Sequence, residues 1–136
     1  NGLPNGTTAT FTGAALASRN GTIILNYANL TNKDELTITS VKLKYYYRTQ
    51  NTALNNGDIQ LKWNKGGTDF DLATITGNRN ALVTPDEFDI TSDISSWAHL
   101  DALETKIFCN ATSVETWNCN LDAIEVEIIA TKTDVI

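Results

Sequence analysis

Methionine is absent from this chain, histidine occurs once and cysteine only twice. A zinc centre needs about four ligands at suitable spacing, and the only histidine is His99. Nucleophilic catalysis needs a nucleophile beside a base. Ser95 and His99 would be i,i+4 neighbours on a helix, but no orienting acid is identifiable. The expectation is a partly buried surface histidine in a chain that is not an enzyme. No stretch approaches the roughly 20 apolar residues that cross a bilayer, so no membrane span is expected. No signal peptide is present, although a removed one leaves no trace. Asn1 stands first, and the expectation is a processed or truncated product. Clustered basic residues are scarce as well. There are 10 basic against 16 acidic side chains, for a net charge of −6. Only Lys42, Lys44 and Arg48 cluster, which argues against a nucleic-acid partner.

What is present fits one domain. The 136 residues suffice for a core without metals or many disulfides. The apolar fraction of 41% excludes wholesale disorder. Asparagine and threonine are frequent, and four N-x-[ST] sequons begin at Asn5, Asn20, Asn29 and Asn110. Turn chemistry accounts equally well for any one of them. Together they point to a glycosylated, extracellular or cell-surface chain. An even cysteine count in such a chain reads as a Cys109–Cys119 disulfide. It would close a short loop, stabilise by roughly 3 kcal/mol, and pin a hairpin carrying Asn110 and Trp117.

Strand-period alternation dominates the chain. In residues 8–17, Ala9, Phe11, Gly13, Ala15 and Ala17 share one face. Residues 22–27 put Ile23, Leu25 and Tyr27 on one face. Residues 36–49 are the strongest strand, with a switch of apolar parity at Ser40 that predicts a bulge. Ile59, Leu61 and Trp63 alternate, and so do Phe70, Leu72 and Thr74. Phe88 and Ile90 mark a short strand. Asp93 is placed to cap a helix over residues 94–103, with Ile94, Trp97, Leu100 and Leu103 inward. The last strand, residues 121–130, faces Ile124, Val126, Ile128 and Ala130 one way. Strands of this length with turns every 8 to 12 residues predict an all-β, antiparallel, jelly-roll-like β-sandwich with one short helix. The division expected is an extended N-terminal segment, 1–17, and a sandwich domain, 18–136.

The stretch Ile-Thr-Ser-Val-Lys-Leu-Lys-Tyr-Tyr-Tyr-Arg-Thr, residues 38–49, resembles a strand of family 3 carbohydrate-binding modules. A broader likeness joins three features: this tyrosine strand, Asp89-Ile-Thr-Ser ahead of Trp97, and the closing Leu121-Asp-Ala-Ile-Glu-Val-Glu-Ile. These look like the jelly-roll domains of bacterial and archaeal surface proteins. The resemblance implies the fold. Jelly rolls serve as lectins, sugar-binding modules, pilus subunits and capsid proteins alike.

Asp86, Glu87 and Asp89, with Asp93 beyond, form an acidic cluster, and Asp69 and Asp71 form another. Such groups can form a solvated loop, hold a structural calcium ion or hydrolyse a glycoside. The solvated loop is the leading expectation, and no cofactor is required. Trp63 and Trp97 fall on apolar faces and are expected in the core. Tyr46, between Lys44 and Arg48, and Trp117 are the aromatics placed to stack on sugars.

Two functions follow as expectations. The first is a non-catalytic extracellular subunit, structural or adhesive, of a surface filament or pilus. Its N-terminal segment, Ala9 to Ala17, would act as a donor strand to an identical subunit. The second is a carbohydrate-binding module of a secreted protein.

Overall fold

The computed structural model describes residues 9–13, 20–26, 36–51, 57–111 and 117–132. It gives backbone alone for 9–13, 20–26, 50, 51, 57, 58, 109–111 and 117–119. The strands are β1 (Ala9–Gly13), β2 (Asn20–Asn26), β3 (Leu36–Asn51), β4 (Gly57–Lys65) and β5 (Phe70–Thr76). They continue with β6 (Arg79–Asn80), β7 (Asp86–Asp89), β8 (Leu103–Ala111) and β9 (Trp117–Lys132). One helical turn, α1 (Trp97–Asp101), follows a 3-10 turn at Thr91–Asp93.

The strands form two antiparallel sheets. One runs β1-β9-β3, with β6 and β7 sharing the far edge of β3; the other runs β2-β8-β4-β5. The pairings nest. First strand pairs with last, β2 with β8, β3 with β6 and β7, and β4 with β5. This is a long antiparallel ribbon rolled into a sandwich, the jelly-roll arrangement expected from the sequence.

Alternation along β3 builds the core. Val41, Leu43, Tyr45 and Tyr47 are fully buried, and their outward neighbours Lys42, Lys44, Tyr46 and Arg48 are half-buried. Ile59, Leu61, Trp63, Leu103, Ile107, Leu121 and Ile124 close the core from the neighbouring strands. The buried Tyr45 hydroxyl donates across the sandwich to the Lys62 carbonyl at 2.8 Å, which removes the cost of an unmatched polar group. Trp63 is core, as expected, and Trp97 packs against the core from its margin. The Trp97 indole N–H donates to the Leu36 carbonyl at 3.0 Å.

The β3–β9 register shifts between Ile38 and Ser40, where the parity switch predicted a bulge. Three expectations need correction. The helix is one turn beginning at Trp97, because Ile94 and Ser96 are extended; Asp93 belongs to the preceding 3-10 turn and caps nothing. The inward face of β5 is not a simple alternation of Phe70, Leu72 and Thr74. Phe70 shares the face of its partner Trp63 and Leu72 packs against the core, but a register shift opposite Leu61 and Lys62 makes Leu72 an extra residue, so beyond it Ala73 and Ile75 pack inward and Thr74 is exposed. Phe70 is 37% exposed and stacks on Trp63, with centroids 4.7 Å apart. Nor do Cys109 and Cys119 flank a hairpin. Cys109 lies on β8 in the four-stranded sheet and Cys119 on β9 in the five-stranded one, so residues 112–116 join the two sheets. Ala9–Gly13 pairs with residues 117–121 of its own chain. Ala15 and Ala17 lie outside the described residues.

Candidate functional site

The outward face of the five-stranded sheet gathers the polar residues that the sequence singled out. β3 supplies Lys42, Lys44, Tyr46 and Arg48. β9 lies on one side with Glu125 and Glu127, and β7 on the other with Glu87 and Asp89. Antiparallel pairing sets Lys44 opposite Glu125 and Glu87, and Lys42 opposite Glu127 and Asp89. Lys44 reaches diagonally to Glu127 at 2.7 Å and sideways to Glu87 at 3.3 Å. The Glu127 hydrogen bond is the main reason the lysine is pushed up to about 12. Reciprocally, Lys44 holds the Glu127 carboxyl below its usual range. The Tyr46 hydroxyl donates to Glu125 at 3.2 Å. Partial burial, then the charge of Glu125, raises its pKa. Beside it, the buried Arg48 Nε has no hydrogen-bond partner among the described residues.

Tyr46 therefore stands on a broad polar sheet face, between two cations and tied to a carboxylate. Glu125 and Glu127 complete that face. The sequence placed them opposite the apolar side of the last strand, but only strand pairing shows which cations they meet. Trp117 lies on β9 at the Gly13 register position, at the far end of the sheet from Glu127. Nothing in the backbone brings it to Tyr46, whose partner on β9 is Ala123.

The proposed calcium ligands share a strand but not a site. Asp86 accepts from the Tyr47 hydroxyl at 2.6 Å and from Arg79. Glu87 meets Lys44 on the outward face. Asp89 accepts the Thr91 N–H at 2.9 Å, and its pKa is lowered by hydrogen bonds from Thr91. Among the described residues no three histidine, cysteine or carboxylate side chains converge on a metal position. Asp69 and Asp71 also part company: Asp71 bonds Lys62 at 2.8 Å, whereas Asp69 accepts from Asn64, a residue that lines a cleft.

That cleft, of about 300 Å³, opens on the four-stranded sheet between Asn64, Gly66, Gly67, Ala102, Glu104 and Lys106. Asn64, only 3% exposed, donates from Nδ2 to Asp69 at 3.0 Å and to Glu104 at 2.8 Å. Its Oδ1 accepts the Gly66 N–H at 3.1 Å, and Lys106 pairs with Asp69 at 3.0 Å. The Asn64 hydrogen bond leads in lowering the Asp69 pKa. The groups satisfy one another, as a buried polar network must.

His99 has a structural partner. Its Nδ1 accepts the Ser95 N–H at 3.2 Å, with the Ser95 hydroxyl 3.4 Å away. The ring lone pair that would take a proton from Ser95 is thus already used by a backbone donor.

Two sequon asparagines are brought together. Asn20 of β2 and Asn110 of β8 are register partners at one end of the four-stranded sheet. Asn5 and Asn29 lie outside the described residues. No protein-family model, curated protein or solved structure matches this chain. No helix among the described residues is long and apolar enough to cross a membrane.

Proposed function

We propose that this chain is a non-catalytic, extracellular structural or adhesive subunit, assembled into a surface filament by strand donation between identical copies. The observation that carries this reading is the character of β1. It is a strand of five residues at a sheet edge, paired among the described residues only with residues 117–121 of β9. In a rolled ribbon the first strand closes the last rung, so it is the rung that exchanges without unthreading any other. Replacing β1 by the same strand of a neighbour preserves every main-chain bond of that rung. The alternate positions Ala9, Phe11 and Gly13 would supply specificity. A head-to-tail exchange of this kind propagates rather than closes.

Negative-stain microscopy of the intact chain tests this. Filaments are expected, and they should vanish when residues 1–17 are deleted. A peptide of residues 8–17 should then bind the truncated chain. A chain that stays monomeric across concentration and pH would sink the reading.

A second reading, a carbohydrate-binding module, is favoured by one observation: Tyr46 lies on an open polar sheet face between Lys44 and Arg48. Retention on an insoluble polysaccharide, lost in Tyr46→Ala, would support it.

A further inference from the structure

β3 and β9 are neighbours of equal length, yet their outer edges are treated differently. The outer edge of β3 is met by β6 at Arg48 and Thr49 and by β7 from Lys42 to Tyr45. It is then met by the Ile90 N–H at the Val41 carbonyl and by the Trp97 indole at the Leu36 carbonyl. The outer edge of β9 is met by β1 over 117–121. A register shift makes Asp122 an extra residue there, since Tyr47 pairs with Leu121 and Tyr46 with Ala123. Bulges of this kind end one run of pairing and re-aim the strand. Past it, no described strand lies against the outer edge of residues 125–131.

The side chains record the same asymmetry. Leu43 and Val41 are 0% exposed, whereas their direct partners on β9, Val126 and Ile128, are only partly buried. Ile129, on the outward face, is 49% exposed. An apolar row this incompletely covered, beside an edge that no described strand covers, is a template for strand addition.

We infer that residues 125–131 of β9 pair antiparallel with the same residues of a second copy, about a two-fold axis at Ile128. This register sets Ile128 against itself and Val126 against Ala130 on the core face. On the outward face it sets Glu127 against Ile129 and Glu125 against Thr131. Moving the axis to Glu127 would set two carboxylates opposite each other. Moving it to Ile129 would set Lys132 against Val126. Only the Ile128 register keeps the apolar row matched and like charges apart, and direct cross-strand pairs are where such differences count. Glu127 is in addition neutralised by Lys44 at 2.7 Å. The two five-stranded sheets would then join into one continuous sheet. This contact is isologous and closes; it goes beyond strand donation and does not depend on it.

Sedimentation equilibrium on the full chain and two exposed-site variants tests the inference. The chain should show a monomer–dimer equilibrium. Ile129→Glu places a carboxylate opposite Glu127 of the second copy, twice per dimer, and should weaken dimerisation roughly tenfold or more. Ile129→Lys places an ammonium there instead and should hold the affinity within about threefold. Ile129 is exposed, so both variants should keep the circular dichroism spectrum of the parent. Equal weakening by both would overturn the register in favour of a non-specific apolar patch. A parent chain without dimers, or an Ile129→Glu variant that dimerises unchanged, would overturn the pairing itself. Filaments in microscopy alongside either of those results would leave strand donation standing. Dimers without filaments would overturn strand donation alone.

Discussion

The hydroxyl of Tyr47, a fully buried residue of β3, donates at 2.6 Å to the carboxylate of Asp86 at the start of β7. Arg79, the first residue of β6, holds the same carboxylate. The three residues fasten the irregular stretch between β5 and β7 to the central strand. Tyr47→Phe keeps the ring and removes a hydrogen bond to a charged group. It should cost about 1.5–3 kcal/mol, read from the urea midpoint.

The same cluster sets a pH dependence at both ends. Burial opposes the charge on Asp86, but hydrogen bonds from Arg79 and Tyr47 outweigh it and hold the carboxyl below its usual range. A depressed folded-state pKa contributes stability above the unfolded value, and that stability is lost as pH falls through the folded one. Stability should therefore drop below about pH 4, less steeply in Asp86→Asn. The Tyr47 phenol is pushed up, first by burial and then by Asp86. The unfolded chain ionises near pH 10, so stability should decline above about pH 10, and less so in Tyr47→Phe. Thermal melts from pH 2 to 11, a range of about nine units, would show both limbs.

Leu43 and Val126 are direct partners across β3 and β9, but only Leu43 is fully enclosed. Leu43→Ala should cost about 2–5 kcal/mol, as buried leucine truncations do. Val126→Ala removes less surface from a half-covered site and should cost roughly half of that or less. Equal costs would mean that the β9 row is as well packed as the centre. Chemical denaturation of the dilute protein measures both.

Gly66 has a φ of +87°, and a Cβ there would sit 3.1 Å from the Cβ of Ala102. Gly66→Ala should therefore destabilise by about 1 kcal/mol or more. Gly67 meets nothing within 4 Å, so Gly67→Ala should be close to neutral. A comparison of melting temperatures separates the two.

The cysteines lie in different sheets. Cys109 is the register partner of Ile59 on β4, and Cys119 that of Thr49 on β3. A Cys109–Cys119 bond would clasp one sheet to the other across the 112–116 connection. Alkylation of the unfolded, unreduced protein should then modify neither residue, and reduction should lower stability by roughly 3 kcal/mol. Full alkylation before reduction would show free thiols.

The local alternation of apolar and polar residues was enough to identify most strands, the bulge near Ser40 and the inward set of β3. Alternation is a property of neighbouring residues, and a buried face enforces it directly. It was enough, too, to place Trp63 in the core and Tyr46 on the polar face. Which strand lies beside which is a long-range matter, and there the sequence was silent or misleading. Proximity along the chain suggested a cysteine hairpin, but β8 and β9 enter different sheets because each pairs with strands far away. An extra residue at Leu72 turned Thr74 outward and Ala73 and Ile75 inward, because a bulge is a response to the partner strand rather than to local composition. Asp86, Glu87 and Asp89 looked like one acidic site and were dispersed among Tyr47, Lys44 and Thr91, since successive strand residues face opposite ways and meet different neighbours. The composition and period of this chain determined that it would be a β-sandwich. Only the pairing of its first strand with its last decided which part of β9 no described strand covers, because an edge exists only once the neighbouring strands have found their places.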